Sequence, residues 1–392
     1  MSRSRSYELC PLVVVALTAM ACSGSSDSDA GGTAFPDSRI AFERADRRVG
    51  YVANRNSDTV SVLDLDAMTL LGTVPVGRDP VDIDGPRHVV LDPANALAYL
   101  ALSYPFSAAS PHALSEGATQ RSGYVEALNL GDLSVAGDLR VDPTASEVAF
   151  SAASGVLAVS HYDLFRALQS DTTARRANLA LVDPARAIAA QPPPDPNLFP
   201  VCAVPAAMAF NGDGSRVFVA CTGEDSLVVV DSHSGAVLAR VPAGNSAINK
   251  PYALVGDAAR ERLLVSNQVA FAVSVFDMGD TPSLLSTLAS PGVPFFATWL
   301  SDSTIAVPFQ APSGAALFDA ATGELLVQIG YSDQECLNPA ELTVTSDGRL
   351  RLVCEGDHYA SGAVVELDPT TLAIQASVSV GIYPERLSAS EP

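Results

Sequence analysis

Along most of the chain, apolar residues alternate with small or polar ones in short runs, and polar turns part the runs. Residues 51–77, YVANRNSDTVSVLDLDAMTLLGTVPVG, hold three such runs, with an aspartate closing the second and a glycine closing the third. A period of two is the signature of half-buried β-strands. The aspartate or asparagine returns at the end of a matching run in VSVLDLD (60–66), VEALNLG (125–131), LALVDPA (179–185), LVVVDSH (227–233), VSVFDMG (273–279), AALFDAA (315–321) and VVELDPT (364–370), seven copies in all. Its carboxylate can accept hydrogen bonds from the backbone just ahead and start the next turn.

A strand with small residues precedes each copy: GYVAN, AYLAL, LAVSH, VFVAC, LLVSN, IAVPF and LRLVC. Before that, in most copies, a proline opens a further apolar run that a turn closes. NGDGS (211–215) and TSDGR (345–349) supply the positive φ of tight hairpins. Each unit is therefore four short antiparallel strands in roughly forty to fifty residues, a period that means a repeat array. Four-stranded sheets that need neighbours to bury both faces predict a propeller. The run 51–77 closely resembles the YVTN family of β-propeller repeats, found in bacterial and archaeal secreted and surface proteins, and the resemblance extends from about residue 36 onward. The fold class expected is all-β, one seven-bladed propeller of four-stranded antiparallel blades over residues 36–392. Either RIAF (39–42) or PERLSAS (384–390) can complete blade one, and the C-terminal strand is favoured because ring closure removes exposed edges.

Strand direction fixes the faces. If the innermost strand enters at the top, the loops between blades and those between second and third strands share that face. Two long insertions fall there, residues 104–122 in blade two and 162–177 in blade three, while 191–200 (QPPPDPNLFP) reads as a stiff link. Long loops in a compact domain are often functional, so a protein, glycan or small ligand is expected at the top face.

Cysteines follow the same frame. Cys202 lies just before Pro205 and Cys221 ends the second strand of that blade; Cys336 and Cys354 repeat the arrangement around Pro339. Both pairs sit at the tops of neighbouring strands, which predicts disulfides Cys202–Cys221 and Cys336–Cys354. No C-x-x-C spacing suggests metal or redox chemistry instead.

The N-terminus adds location. Arg3 and Arg5 precede a short apolar stretch, Leu9 to Ala21, that ends in small residues at Cys22, which reads as a secretory signal over 1–21. Ala19-Met20-Ala21-Cys22 resembles a bacterial lipobox, which implies a lipid on Cys22, a flexible tether over 22–35 and an outer-membrane lipoprotein of the cell envelope facing the periplasm or the exterior. A formal charge of −21 and the lack of any basic run after residue 48 exclude a nucleic-acid partner.

Candidate chemistry is sparse. No C-x-x-C-H, H-E-x-x-H, G-x-S-x-G or phosphate loop is present, and no cofactor is indicated. Asp79, Asp82 and Asp84 share one inter-blade loop and could offer oxygen ligands to Ca²⁺, but a solvated acidic turn is the preferred reading, so no metal site is assigned. The residues just after each blade-opening proline should ring the top of the axis, among them Arg87, His88, Ser146, Glu147, Tyr252, Glu341, Glu385 and Arg386, with His161 and His358 near the tops of second strands. Histidines beside carboxylates suit metal binding and acid–base catalysis; a wet axial channel explains them as well. From these, His88, Glu147, His161, Tyr252, Glu341, His358 and Arg386 are the candidate ligand-binding set. The reading favoured by sequence is a non-enzymatic binding scaffold. The alternative is an enzyme, a lactonase-like hydrolase relying on His88, Glu147, Glu341 and Arg386, or a relative of propeller dehydrogenases.

Overall fold

The computed structural model describes residues 33–43, 47–80, 83–103, 123–189 and 195–391. The signal segment, Cys22, the tether as far as residue 32, the insertion 104–122, Asp82 and residues 190–194 lie outside them. The described chain forms seven antiparallel sheets arranged as a ring of blades. Blade two shows the common plan: Pro86–Asp92 innermost, then Leu97–Leu102, Gly123–Asn129 and Val135–Val141 outward. The expected turns are in place, with Gly214 and Gly348 at positive φ. The repeated aspartate performs its expected role: Asp64 Oδ1 accepts from the amides of Asp66 and Ala67, and Asp231, Asp319 and Asp368 do the same in their blades.

The ring closes through the C-terminal strand. Pro384–Ser390 lies inside Val49–Asn54 in blade one, with Tyr51 opposite Ser388. RIAF takes no part in a sheet. Ile40 donates its amide to the Asp132 carbonyl, and Ile40 and Phe42 pack over the core between blades one and two. The 191–200 link is corrected: Asn197–Cys202 is the outermost strand of blade three, paired with Ala177–Val182. An edge position tolerates its proline because one side of the strand needs no ladder donor.

Both predicted disulfides form, Cys202–Cys221 and Cys336–Cys354, with Cα separations of 6.0 and 5.2 Å. Between blades, the facing sheets bury aliphatic side chains such as Val60, Leu100, Leu128, Leu227 and Val265 almost completely. Among the described residues, no helix is long and apolar enough to cross a membrane.

Candidate functional site

The innermost strands share a local irregularity that decides what faces the axis. The pairing register shifts just after the opening residue, between Pro86 and Val89, Ala145 and Val148, Pro205 and Met208, Pro251 and Ala253, and Pro339 and Glu341. A bulge of this kind breaks strict alternation. Two successive side chains per blade can then reach the centre, one in an upper layer and one below it. The residue before the strand is left-handed in six blades, at Gly85, Thr144, Val204, Lys250, Asn338 and Tyr383. Non-glycine residues adopt that conformation rarely, so the top of the ring is where backbone irregularity collects.

The upper layer is organised by Arg87. Its Nε and Nη2 donate to the two oxygens of Glu385 at 2.8 and 3.3 Å, its Nη1 donates to Ser146 Oγ at 2.7 Å, and Nη2 donates to Tyr252 Oη at 2.7 Å. Arg55 donates to Glu385 from the other side at 3.1 Å. Burial alone would raise the Glu385 carboxyl, but Arg87 and Arg55 outweigh it and hold the group below its ordinary range. Burial pushes the Tyr252 phenol up to about 12 against the pull of Arg87, so it stays protonated. Above this layer opens a chamber of about 440 Å³, lined by Arg55, Arg87, Ser103, Thr144, Ser146, Tyr162 and Tyr252, with Leu164 and Phe165 of the blade-three insertion as an apolar wall.

The lower layer is organised by Arg386. Nε and Nη2 donate to Glu341 Oε1 at 2.9 and 2.8 Å, and Nη1 donates to Glu147 at 3.0 Å. The guanidinium lies 4.0 Å over the Phe296 ring. Phe296 is carried there by a break in the inner strand of blade six, whose backbone bonds instead to Ala340 and Leu342 of blade seven. His88 Nδ1 stands 2.9 Å from Glu147. Burial raises the Glu147 carboxyl, yet Arg386, His88 and Arg87 together bring it down to about 2. Below this layer a second chamber of about 570 Å³ runs between the inner strands of blades two to five and opens among their bottom hairpins, with His88 and Arg386 at its inner end.

The expected single wet mouth is therefore corrected. The axis is plugged by two stacked layers of ion pairs, with one chamber on each side. Of the sequence candidates, Tyr252 lines the upper chamber, His88 and Arg386 reach only the lower one, and Glu147 and Glu341 are enclosed between them. His161 is not on the axis. Its Nδ1 donates to the Asn178 carbonyl at 2.7 Å, it is fully buried on the strand face that Leu157 and Val159 turn toward blade two, and burial lowers its pKa. His358 sits at the rim, stacked on Tyr383 at 3.6 Å with Nε2 3.0 Å from Glu355. Burial raises that glutamate. Sequence reasoning missed Arg55 and Tyr162. Both stand one residue beyond the end of a second strand, so aligning the repeats at that position would have found them. Asp84 is turned inward, accepting from the amides of Arg78 and Asp79 at 2.5 and 2.8 Å, which makes it a loop brace. Among the described residues, no three His, Cys, Asp or Glu side chains are grouped to hold a metal ion.

No family model and no curated protein matches the chain. Solved propellers do. A putative 6-phosphogluconolactonase from Bacteroides fragilis superposes with a TM-score of 0.61 at 11% identity, over 89% of this chain and 100% of that one. The periplasmic gluconolactonase of Pseudomonas aeruginosa gives 0.60 at 14%, over 88% and 99%. The dihydro-heme d1 dehydrogenase NirN gives 0.58 at 17%, over 89% and 77%. At these identities the likeness is one of fold. The three names are those of enzymes, which overturns the expectation of a non-enzymatic scaffold.

Proposed function

We propose that the protein is a lactonase-like hydrolase whose substrate, a cyclic ester, binds in the upper chamber. One observation carries this reading. Because Arg87 donates to both Tyr252 Oη and Ser146 Oγ, each oxygen already accepts, and each hydroxyl proton is left to be given to another group. Both hydroxyls line the chamber. Attack of water on a lactone carbonyl places negative charge on the carbonyl oxygen, and fixed donors aimed at that oxygen lower the barrier. Tyr252, Ser146 and the Arg55 guanidinium form such a donor set. Water adds, the ring carbon–oxygen bond breaks, and the ring oxygen leaves as a hydroxyl. The product is a hydroxy acid, whose carboxylate suits the arginine-lined wall. The names of two similar structures favour sugar lactones as the first substrates to try, the phosphorylated one included.

Exported, cell-envelope residence agrees with the disulfides and with the periplasmic neighbour. The YVTN character of the repeats and a lipid on Cys22 that would tie the chain to the outer membrane complete the proposal.

The test is hydrolysis of glucono-δ-lactone and its 6-phosphate, followed by acid release. Tyr252→Phe and Ser146→Ala should each lower kcat/KM by about 10²-fold while leaving the melting temperature close to that of the parent. A folded protein that opens no lactone, or variants as active as the parent, would refute the assignment.

A further inference from the structure

The lining of the upper chamber bears on the body of the substrate as well as on its reacting bond. One wall is the short helix Leu164–Ala167, supplied by the blade-three insertion. That helix is pinned in place: the buried Asp163 accepts from the Arg166 amide at 2.9 Å, and the Arg166 guanidinium meets Asp163 and Asp142, each at 3.3 Å. Its first two residues, Leu164 and Phe165, line the chamber yet stay 54% and 45% exposed. Tyr162 lies edge-to-face with Tyr252, centroids 6.1 Å apart, and joins this wall to the hydroxyl donors. Large apolar side chains held open to solvent inside a concave site mark a surface that an apolar ligand would cover.

The polar side chains narrow the class further. Among the described lining residues they are two guanidiniums, which only donate, and the hydroxyls of Ser103, Thr144, Ser146, Tyr162 and Tyr252. That lining includes no carboxylate, side-chain amide or imidazole. The Ser146 and Tyr252 oxygens already accept from Arg87, and Thr144 donates to the Pro143 carbonyl at 2.6 Å. A polyol brings several hydroxyl protons that need acceptors, and these side chains are weighted toward donors. A lactone without hydroxyls has two acceptor oxygens and no donor, which is the complementary case.

We infer that the upper chamber selects lactones that carry an aliphatic chain, the ring carbonyl accepting from the hydroxyl donors while the chain lies along Leu164 and Phe165. The inference rests on the hydrolase reading and names its substrate class, which makes sugar lactones the slower substrates. The cavity of about 440 Å³ is larger than a six-membered ring fills and lies within the size range of small-molecule pockets.

The deciding experiment is calorimetric titration of the folded protein with 3-pentylcyclohexanone and, in parallel, cyclohexanone. In both ketones a methylene stands for the ring oxygen of a δ-lactone, so neither can be hydrolysed. Saturable 1:1 binding of the pentyl ketone, at least tenfold tighter than that of the bare ring, is expected from the methylenes it buries. The double variant Leu164→Ser/Phe165→Ser should bring the two ketones to nearly equal affinity. Equal affinities on the parent protein overturn the inference, as does the absence of pentyl-ketone binding at millimolar concentration or a preference that survives the double variant. Hydrolysis of δ-decalactone and δ-valerolactone, measured alongside, tests the hydrolase reading separately. Chain-dependent ketone binding with no lactone opened would remove that reading and keep the ligand class; lactones opened with no chain dependence in the ketones would do the reverse. The comparison on the parent protein needs no variant, so it decides the matter even if a substitution prevents folding.

Discussion

Two carboxylic acids away from the axis show how far burial alone can move a titration. Glu126 and Asp84 lie close together beneath Gly77, and burial raises them to about 8 and about 7. Glu126 Oε2 accepts from the Gly77 amide at 3.1 Å, but its Oε1, and Oδ1 of its cross-strand neighbour Asp138, have no hydrogen-bond partner among the described residues. A raised carboxyl holds its proton in the folded state. The stability it lends is therefore full below the ordinary glutamate range and is lost as pH climbs toward 8. Glu126→Gln removes that dependence and offers an amide donor to Asp138. Thermal melts should show the variant gaining several degrees over the parent at pH 8.5 and little or nothing at pH 5. A gain of equal size at both values would mean that the proton is not the cause. Glu147 has the opposite sign: held at about 2, its contribution is present above the ordinary glutamate range and lost only in strong acid.

At the scale of elements, the disulfides and the closing strand carry the clearest expectations. Each disulfide closes a loop of 19 or 18 residues, so removing one should cost about 3 kcal/mol in the chain-entropy model. Chemical denaturation of Cys202→Ser/Cys221→Ser, against the parent with and without reductant, reads that loss. What was legible in the sequence belongs largely to this scale. The alternation, the Asp-Gly turns and the strand-opening prolines gave the blades, and the spacing of Cys202 and Cys336 from their prolines gave the bridges. What was not legible is the bulge behind each proline. Strict alternation would send Arg87 and His88 to opposite faces of the sheet; the register shift lets both reach the axis, in different layers. For that reason His88, Glu147, Glu341 and Arg386 looked like an open mouth and proved to be a plug. His161 misled for a related cause: it ends a second strand as expected, but strand geometry turns it between blades.

For the whole molecule, charge is distributed unevenly between inside and outside. The plug is balanced, three arginines (Arg55, Arg87, Arg386) against three glutamates (Glu147, Glu341, Glu385), while the chain as a whole carries −21. The excess therefore repels itself across the outer surface, where salt screens it, and not in the buried layers, where salt has little access. Raising NaCl from about 10 to 300 mM, a range that shortens the screening length severalfold, should raise the melting temperature. A fall on adding salt would place the dominant electrostatics in exposed ion pairs instead.

The ring is closed by a strand whose first residues also complete the plug. Arg87 is synthesised early and finds its partner Glu385 only 298 residues later; Arg386 likewise joins Glu147 across 239. During synthesis the first blades can pair internally, but neither charged layer can balance until Pro384–Ser390 has arrived. Closure of the circle and assembly of the site are thus one event, and a truncated chain is denied both together. The fold in effect proofreads its own completeness: neither charged layer is balanced until the circle is whole.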